Sequence, residues 1–340
     1  VIEVEFIPVG EKTDTGDAIL VHFTEPEIAT ERVVLIDGGF TETAEKIVDH
    51  IQTYYGTSRI DLMICTHPDD DHINGLFGVL EQARVDQLLI HRPRNYGYNS
   101  DEVKASKVDD LIALAQAEGT VVVTDAYAGH EFFHGALRIA GPTVDYYVSL
   151  LNSQVASASL TAKATSMFHA AVQTVRNALT PRGTDPGEGE LVDHGGTSAR
   201  NNTSIIVDVQ VDGYRALFTG DAGAPALERA ADYLEVSGRS AGGVPDFFDV
   251  PHHGSRHNLT SSVMNRLAGP VVGDTGQRSA FVSVGAEATE HPRSEVANAF
   301  KRRGYTVSPT HGQTIRWHRG AASRTNWVPL TPLPWLEPDN

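Results

Sequence analysis

A single cysteine, Cys65, stands among 340 residues. That excludes a disulfide within the chain and every zinc motif built on paired cysteines. Set in the apolar run "LMIC", it reads as a buried thiol. Positive charge is also scarce: 27 Lys and Arg oppose 44 Asp and Glu, for a formal charge of −17. A diffuse acidic surface repels phosphate backbones, which excludes passive coating of nucleic acid. Nucleic acid remains open as a substrate if cations neutralise the carboxylates locally. No stretch approaches the roughly 20 apolar residues that span a bilayer. The opening "VIEVEFIPVG" alternates like a strand and lacks the basic and apolar regions of a leader. The expectation is a chain without a membrane segment, located in the cytoplasm. There is no repeat of fixed period, and no phosphate loop or dinucleotide fingerprint.

What is present is an ordinary globular composition, 40% hydrophobic and 21% charged. The length suits one large α/β domain or two small ones. "VIEVEFIPV", "DAILVHF" and "RVVLIDGG" read as three successive strands separated by polar turns. "FTETAEKIVDHIQTY" follows with a helical period, then a short strand "IDLMICT", a helix from "INGLFGVLEQA", a strand "DQLLIHR" and a helix "ASKVDDLIALAQAEG" ended by Gly119. "TVVVTDA" and "ALRIAGP" are further strands. Residues 146–200 break the pattern: Ala-rich helical chain, then a Pro/Gly/Asp-rich connector, read as a helical insertion or lid that offers a surface to a protein partner. A hairpin turning at Asp212-Gly213 resumes the fold. Helix, strand, loop, helix, strand, helix and a final hairpin complete it. The spacing predicts a four-layer αββα sandwich over 1–325, two sheets face to face with helices outside, and an extended Pro-rich tail over 326–340. Two separate units divided near residue 150 are the alternative.

Chemistry concentrates after the strand "LMIC". His67-Pro-Asp69-Asp70-Asp71-His72 places two imidazoles and three carboxylates within six residues. Both groups bind Zn²⁺ or Mn²⁺ well, and a loop that bends the chain brings such side chains together. A helix cap would account for Asp70 or Asp71 alone but not for two flanking histidines. Other acids and histidines also follow apolar strands: Asp37 after "VVLI", Asp221 after "ALFTG", His252 and His253 after "DFFDVP". In α/β folds, sites form where the carboxyl ends of strands converge.

These residues resemble the metallo-β-lactamase fold superfamily, whose pattern is His-x-His-x-Asp-His after a strand, with an earlier Asp, a later bridging Asp and a late His. The variant "THPDDDHINGL", with "LFTGD", "PHHGS" and "EHP", is most similar to ComEC-like metallo-hydrolases, from about Val4 to Trp317 outside the insertion. The resemblance implies two divalent ions, Zn²⁺ or Mn²⁺ with Mg²⁺ as a further candidate. By position, His67 and Asp69 would hold the first, Asp71 and His72 the second, and Asp221 would bridge both. One of His252 and His253 would complete the second position, and Asp37 would orient a ligand or loop from behind. Asp69 stands where most members have histidine. The third histidine of the first position is replaced near Asn201, Asn202, Thr203 and Ser204, where an amide oxygen is a candidate donor, and Asn202 is expected to support the site from behind or to touch substrate. His194 is an alternative donor there.

A paired centre holds a bridging water and clamps the oxygens of an in-line phosphoryl displacement, its ions roughly 3.5–4 Å apart. Asp71 and Asp221 would orient that water. His291, in "TEHPRSE", would protonate the leaving alkoxide, and Ser255 with the Gly254 N–H would hold a phosphate oxygen. The function expected is a phosphodiesterase or nuclease acting on single-stranded nucleic acid or nucleotides. Hydrolysis of an amide, lactone or thioester, and a lid-regulated binding module with little turnover, are the alternatives.

Overall fold

The computed structural model describes residues 1–164, 191, 196–325 and 327–337. The expected helix beyond Ala164, most of the connector after it and His194 lie outside the described residues.

Sixteen short strands occur among the described residues: β1 (Ile2–Phe6), β2 (Ile19–Glu25), β3 (Thr30–Ile36), β4 (Arg59–Ile60), β5 (Leu62–Cys65), β6 (Arg84–Val85), β7 (Gln87–Ile90), β8 (Val121–Val123), β9 (Glu131–Phe132), β10 (Leu137–Gly141), β11 (Ile206–Val211), β12 (Tyr214–Phe218), β13 (Phe247–Asp249), β14 (Arg278–Val282), β15 (Tyr305–Pro309) and β16 (Ile315–Arg319). They form two seven-stranded sheets, β16-β1-β2-β3-β5-β7-β8 and β15-β14-β13-β12-β11-β10-β9, with β4 and β6 as a small parallel pair. Alternate residues of both sheets, including Val4, Phe6, Val21, Val34, Ile64, Leu137, Val207, Phe218, Phe247 and Trp317, meet in one buried core between them. The opposite face of the first sheet packs the helices Thr43–His50, Asp70–Gln82 and Ala105–Ala117. The opposite face of the second packs Ala224–Val236, Ser261–Leu267 and Ser294–Arg302. This is the four-layer αββα sandwich.

Each sheet joins an antiparallel half to a parallel half. β1, β2 and β3 pair antiparallel, whereas β3, β5, β7 and β8 run parallel. β12, β13, β14 and β15 are likewise parallel. Parallel strands need crossovers, and each crossover starts at a strand's carboxyl end, so the loops after β3, β5, β12 and β13 all open on one edge of the sandwich. Those loops carry Asp37, the aspartate-rich stretch, Asp221 and the His252-His253 pair.

Two expectations are corrected. The last two strands are not a hairpin: β15 pairs with β14 in the second sheet, while β16 crosses over to pair with β1 in the first. Nor is the chain divided near residue 150, since β9 and β10 precede that point and belong to the second sheet. The final segment runs without regular structure against the helix Ser294–Arg302: Leu333 N–H donates to the Val307 carbonyl, and Lys301 and Arg302 face the Trp335 ring.

The helix Asp70–Gln82 sits unusually close to the loop after β3. Gly38 N–H donates to the His72 carbonyl at 2.7 Å and Gly75 N–H to the Gly39 carbonyl at 2.9 Å. A Cβ at Gly75 would collide with the Gly38 carbonyl, which is backbone and cannot swing away. Gly75→Ala should therefore destabilise the fold by about 1–3 kcal/mol, as overpacking does. Thermal unfolding checks this, and an unchanged midpoint would contradict the close approach.

Candidate metal centre

The helix Asp70–Gln82 begins directly after the loop from β5, and its cap position is Asp69. None of the three aspartates caps it: Asp69 is extended (φ −73°, ψ 152°) and makes no side-chain cap bond. Asp70 turns outward and pairs with Lys104 and Lys107. Asp69 and Asp71 turn inward instead, towards the histidines. The cap reading of this stretch is thereby replaced by a division of labour, one aspartate to solvent and two to the site.

Asp221 lies at the middle, almost fully buried, with its two oxygens facing different ways. Oδ2 is 3.7 Å from His67 Nε2 and 3.5 Å from His252 Nε2, and His67 Nε2 is 3.7 Å from Asp69 Oδ2. Oδ1 is 3.5 Å from His72 Nε2. Asp71 Oδ2 is 3.7 Å from both His72 Nε2 and His253 Nε2. Donors bound about 2.0–2.2 Å from one tetrahedral ion stand about 3.3–3.6 Å apart, so these separations suit shared coordination better than hydrogen bonding. His67 Nε2, His72 Nε2, His253 Nε2 and Asp221 Oδ1 are all buried without a hydrogen-bond partner. Buried polar atoms are seldom left so. Four of them aimed at two points fit a pair of cations, the first among His67, Asp69, Asp221 and His252, the second among Asp71, His72, His253 and Asp221. The adjacent histidines thus face different points, His252 towards Asp221 Oδ2 and His253 towards Asp71, where the sequence left them as alternatives for one position.

Their divergence comes from the backbone. His252 (φ 50°, ψ 51°) and His253 (φ 56°, ψ 21°) are both left-handed, followed by Gly254 at φ 81°. A left-handed residue with a Cβ costs roughly 1–2 kcal/mol, strain typical of functional loops.

The rear nitrogens are held by the scaffold. His72 Nδ1 lies 2.8 Å from Asp37 Oδ2, which also accepts from Thr66 Oγ1 at 2.6 Å, while Asp37 Oδ1 accepts from Thr66 N–H. Asp37 is therefore fully engaged behind His72, and the tight grouping of Asp37, His67 and His72 is not a third ion position. His67 Nδ1 faces the Thr66 and Ser204 hydroxyls, His252 Nδ1 lies 2.9 Å from Asn258 Oδ1, and His253 Nδ1 lies 3.1 Å from the Ser283 carbonyl.

The structure also places Asn202, Ser255 and His291. Asn202 does not face the site: its Nδ2 donates to the Ser198 carbonyl and its Oδ1 accepts from Gly223 N–H, so it holds a loop. Its neighbour Asn201 takes that place, with Nδ2 3.3 Å from Asp221 Oδ2 and 3.4 Å from His252 Nε2. The Ser255 hydroxyl accepts from His257 N–H within its own turn. His291 sits on the loop packed against Gly254, where Arg293 N–H donates to the Gly254 carbonyl at 3.0 Å. Sequence reading missed Asp17 and Asn258. Asp17 lies buried behind the histidines, 3.9 Å from His72 Nδ1 and from His253 Nδ1, and burial pushes its proton affinity up. Its one sequence signal is a Gly-Asp pair ahead of β2, where Gly16 packs against the Asp71 backbone.

A family model described as the Metallo-beta-lactamase superfamily matches residues 15–270, a span that holds every ligand named above. Several solved structures are similar to the chain at low identity. A metal-dependent hydrolase of the β-lactamase superfamily is 9% identical, covering 94% of this chain and 99% of that one, with a TM-score of 0.46. A diphosphatase of the PhnP family is 12% identical, with coverages of 93% and 98% and a TM-score of 0.42. A metallo-β-lactamase superfamily protein from Sulfolobus tokodaii is 16% identical, with coverages of 77% and 83% and a TM-score of 0.33. No curated protein matches.

The charges set a pH dependence. Burial disfavours the imidazolium of His253, but the Asp71, Asp17 and Asp221 carboxylates outweigh it and raise the ring from 6.5 to about 9; His72 is raised likewise by Asp221, Asp37 and Asp71. Asp71 and Asp221 are held below the usual carboxylate range, the surrounding imidazoles overcoming their burial. The imidazole contribution is complete below 6.5 and is lost as pH rises through about 9; the carboxylate contribution is present above 3.8 and is lost on acidification. In chelator, the melting temperature should fall between pH 6.5 and 9. With a divalent ion present it should rise over the same interval, because ligation needs the neutral rings. Parallel melting curves with and without the ion would contradict the assignment.

Proposed function

Because the chain belongs to the metallo-beta-lactamase superfamily, whose members are metal-dependent hydrolases, we propose that it is a ComEC-like phosphodiesterase acting on single-stranded nucleic acid, nucleotides or a related phosphodiester. The supporting observation is the oxygen-rich donor set. Asp69, Asp71 and Asp221 supply three carboxylates, and Asp69 stands where the superfamily pattern has imidazole. Harder donors favour Mn²⁺ or Mg²⁺ over Zn²⁺. Three carboxylates also leave two divalent ions incompletely neutralised, which suits an anionic ester better than a neutral amide or lactone. When bound, such ions supply a water of lowered pKa and a clamp on the attacking and leaving oxygens.

The chain's own groups do the rest. Asp221 would help hold both ions, its Oδ2 facing His67 and His252 and its Oδ1 facing His72. Asp37 fixes the His72 ring so that Nε2 points inward. Burial, with the nearby His253, Arg293 and His252, holds His291 down to about 4, so it is neutral near pH 7. A phosphoryl group arriving beside it adds the negative charge that raises its proton affinity, so the ring takes up a proton from solvent and delivers it to the departing alkoxide.

With Mn²⁺ the protein should hydrolyse a bis-aryl phosphodiester and leave lactams and thioesters intact. Asp71→Ala should abolish that turnover without changing the circular dichroism spectrum. Turnover of a lactam alone, or normal rates in the variant, would overturn the reading. His291→Ala should lower kcat by roughly 100-fold or more on an alkyl phosphodiester, a general-acid contribution, and far less on the bis-aryl ester, whose leaving group departs unprotonated. Equal losses on both would remove His291 from that role.

A further inference from the structure

Asp69 is the donor by which this chain departs from the superfamily pattern, and it has a companion. The Arg200 guanidinium forms an ion pair, without an aligned hydrogen bond, to Asp69 Oδ1. The other oxygen, Oδ2, faces His67 Nε2 at 3.7 Å. The two oxygens are thus divided: one towards a fixed cation of the protein, the other towards the first ion position. Among the described residues, Arg200 is the one guanidinium or ammonium within ion-pair distance of Asp69. A carboxylate that neither caps its helix nor meets another cation would turn freely and present either oxygen, or both, to an ion.

Arg200 is itself anchored. Its carbonyl accepts from Thr203 N–H at 2.9 Å and from Thr203 Oγ1 at 2.6 Å, and its Nη1 reaches the Glu102 carbonyl at 3.5 Å. The next residue, Asn201, lies against Asp221 and His252. One short turn therefore delivers both groups that edge the first position.

We propose that Arg200 is a positioning residue for the first metal: by holding Asp69 Oδ1 it fixes Oδ2 as a single, oriented donor beside His67. This rests on the metal-centre reading and goes beyond it, since it makes the Asp-for-His replacement and the arginine one functional unit. A competing cation would have to lie between Asp69 and His67; the guanidinium lies on the far oxygen. Arginine should thus aid loading rather than oppose it. The dependence should vanish with a histidine at 69, because imidazole needs no counter-charge and a guanidinium beside it repels the ion.

The test is titration of the metal-free, full-length protein with Mn²⁺, free ion followed by electron paramagnetic resonance. The wild type should bind two ions. Arg200→Met should weaken one of them by about 10–100-fold, the range for loss of an outer partner, and leave the other within about twofold. Arg200→Lys should recover part of the loss, and Arg200→Gln replaces the Met variant should that one not fold. In an Asp69→His background, Arg200→Met should leave affinity unchanged or improve it. Wild-type affinities in Arg200→Met and Arg200→Gln, or tighter binding in either, would overturn the proposal while leaving the centre intact. Failure of the wild type to bind any ion would overturn the centre itself, and the proposal with it.

Discussion

Negative charge gathered in a poorly hydrated place needs positive charge to keep it there. Asp71 and Asp221 approach His72 from either side, and Asp69 and Asp221 flank His67. Two like charges about 4 Å apart repel by about 4 kcal/mol at an effective dielectric of 20. The protein's answer in the absence of ions is to load protons onto His72 and His253, which is why those rings are driven upward. Divalent ions do the same task with stronger bonds. Ion binding would displace those protons, so affinity for the ions would depend on pH.

The sandwich exists around this edge in a specific way. Loops after four parallel strands open together, and each contributes a donor or its support: Asp37 after β3, His67 to His72 after β5, Asp221 after β12, and the histidine pair after β13. Outer partners then fix direction. Asp37 and Thr66 lock the β3 and β5 loops to each other and to His72. Ser204 ties His67 to the Asp221 backbone, its hydroxyl accepting from Asp221 N–H at 3.2 Å. Asn258 links His252 to the Asp221 carbonyl, to which it donates at 2.8 Å. The two sheets are therefore joined at the site as well as through the apolar core, and a shift in either sheet would move a donor.

Much of this was legible in the residues. Alternating apolar runs marked the strands, and the density of His and Asp after "LMIC" marked the candidate site, because both signals are local. What failed was what depends on distance in space. The final hairpin failed because β15 and β16 are adjacent in sequence yet belong to different sheets, and no local pattern marks a crossover between sheets. Asn201 and Asn202 are neighbours of one type, and only the turn decides which faces Asp221. The different directions of the His252 and His253 rings depend on two left-handed residues in succession, which histidine's own propensity does not announce. Asp17 was missed because a Gly-Asp pair before a strand is common, and its importance arises only from what folds over it.

The central claim is that two cations hold these side chains at one rim. Diffraction from metal-loaded crystals, measured on either side of the manganese absorption edge, tests it directly. The account requires two anomalous peaks roughly 3.5–4 Å apart, the spacing of two-metal hydrolytic centres, with an Asp221 oxygen on each and the His252 and His253 rings on different ions. A map with no peak there, or with density only at Asp37, would contradict it.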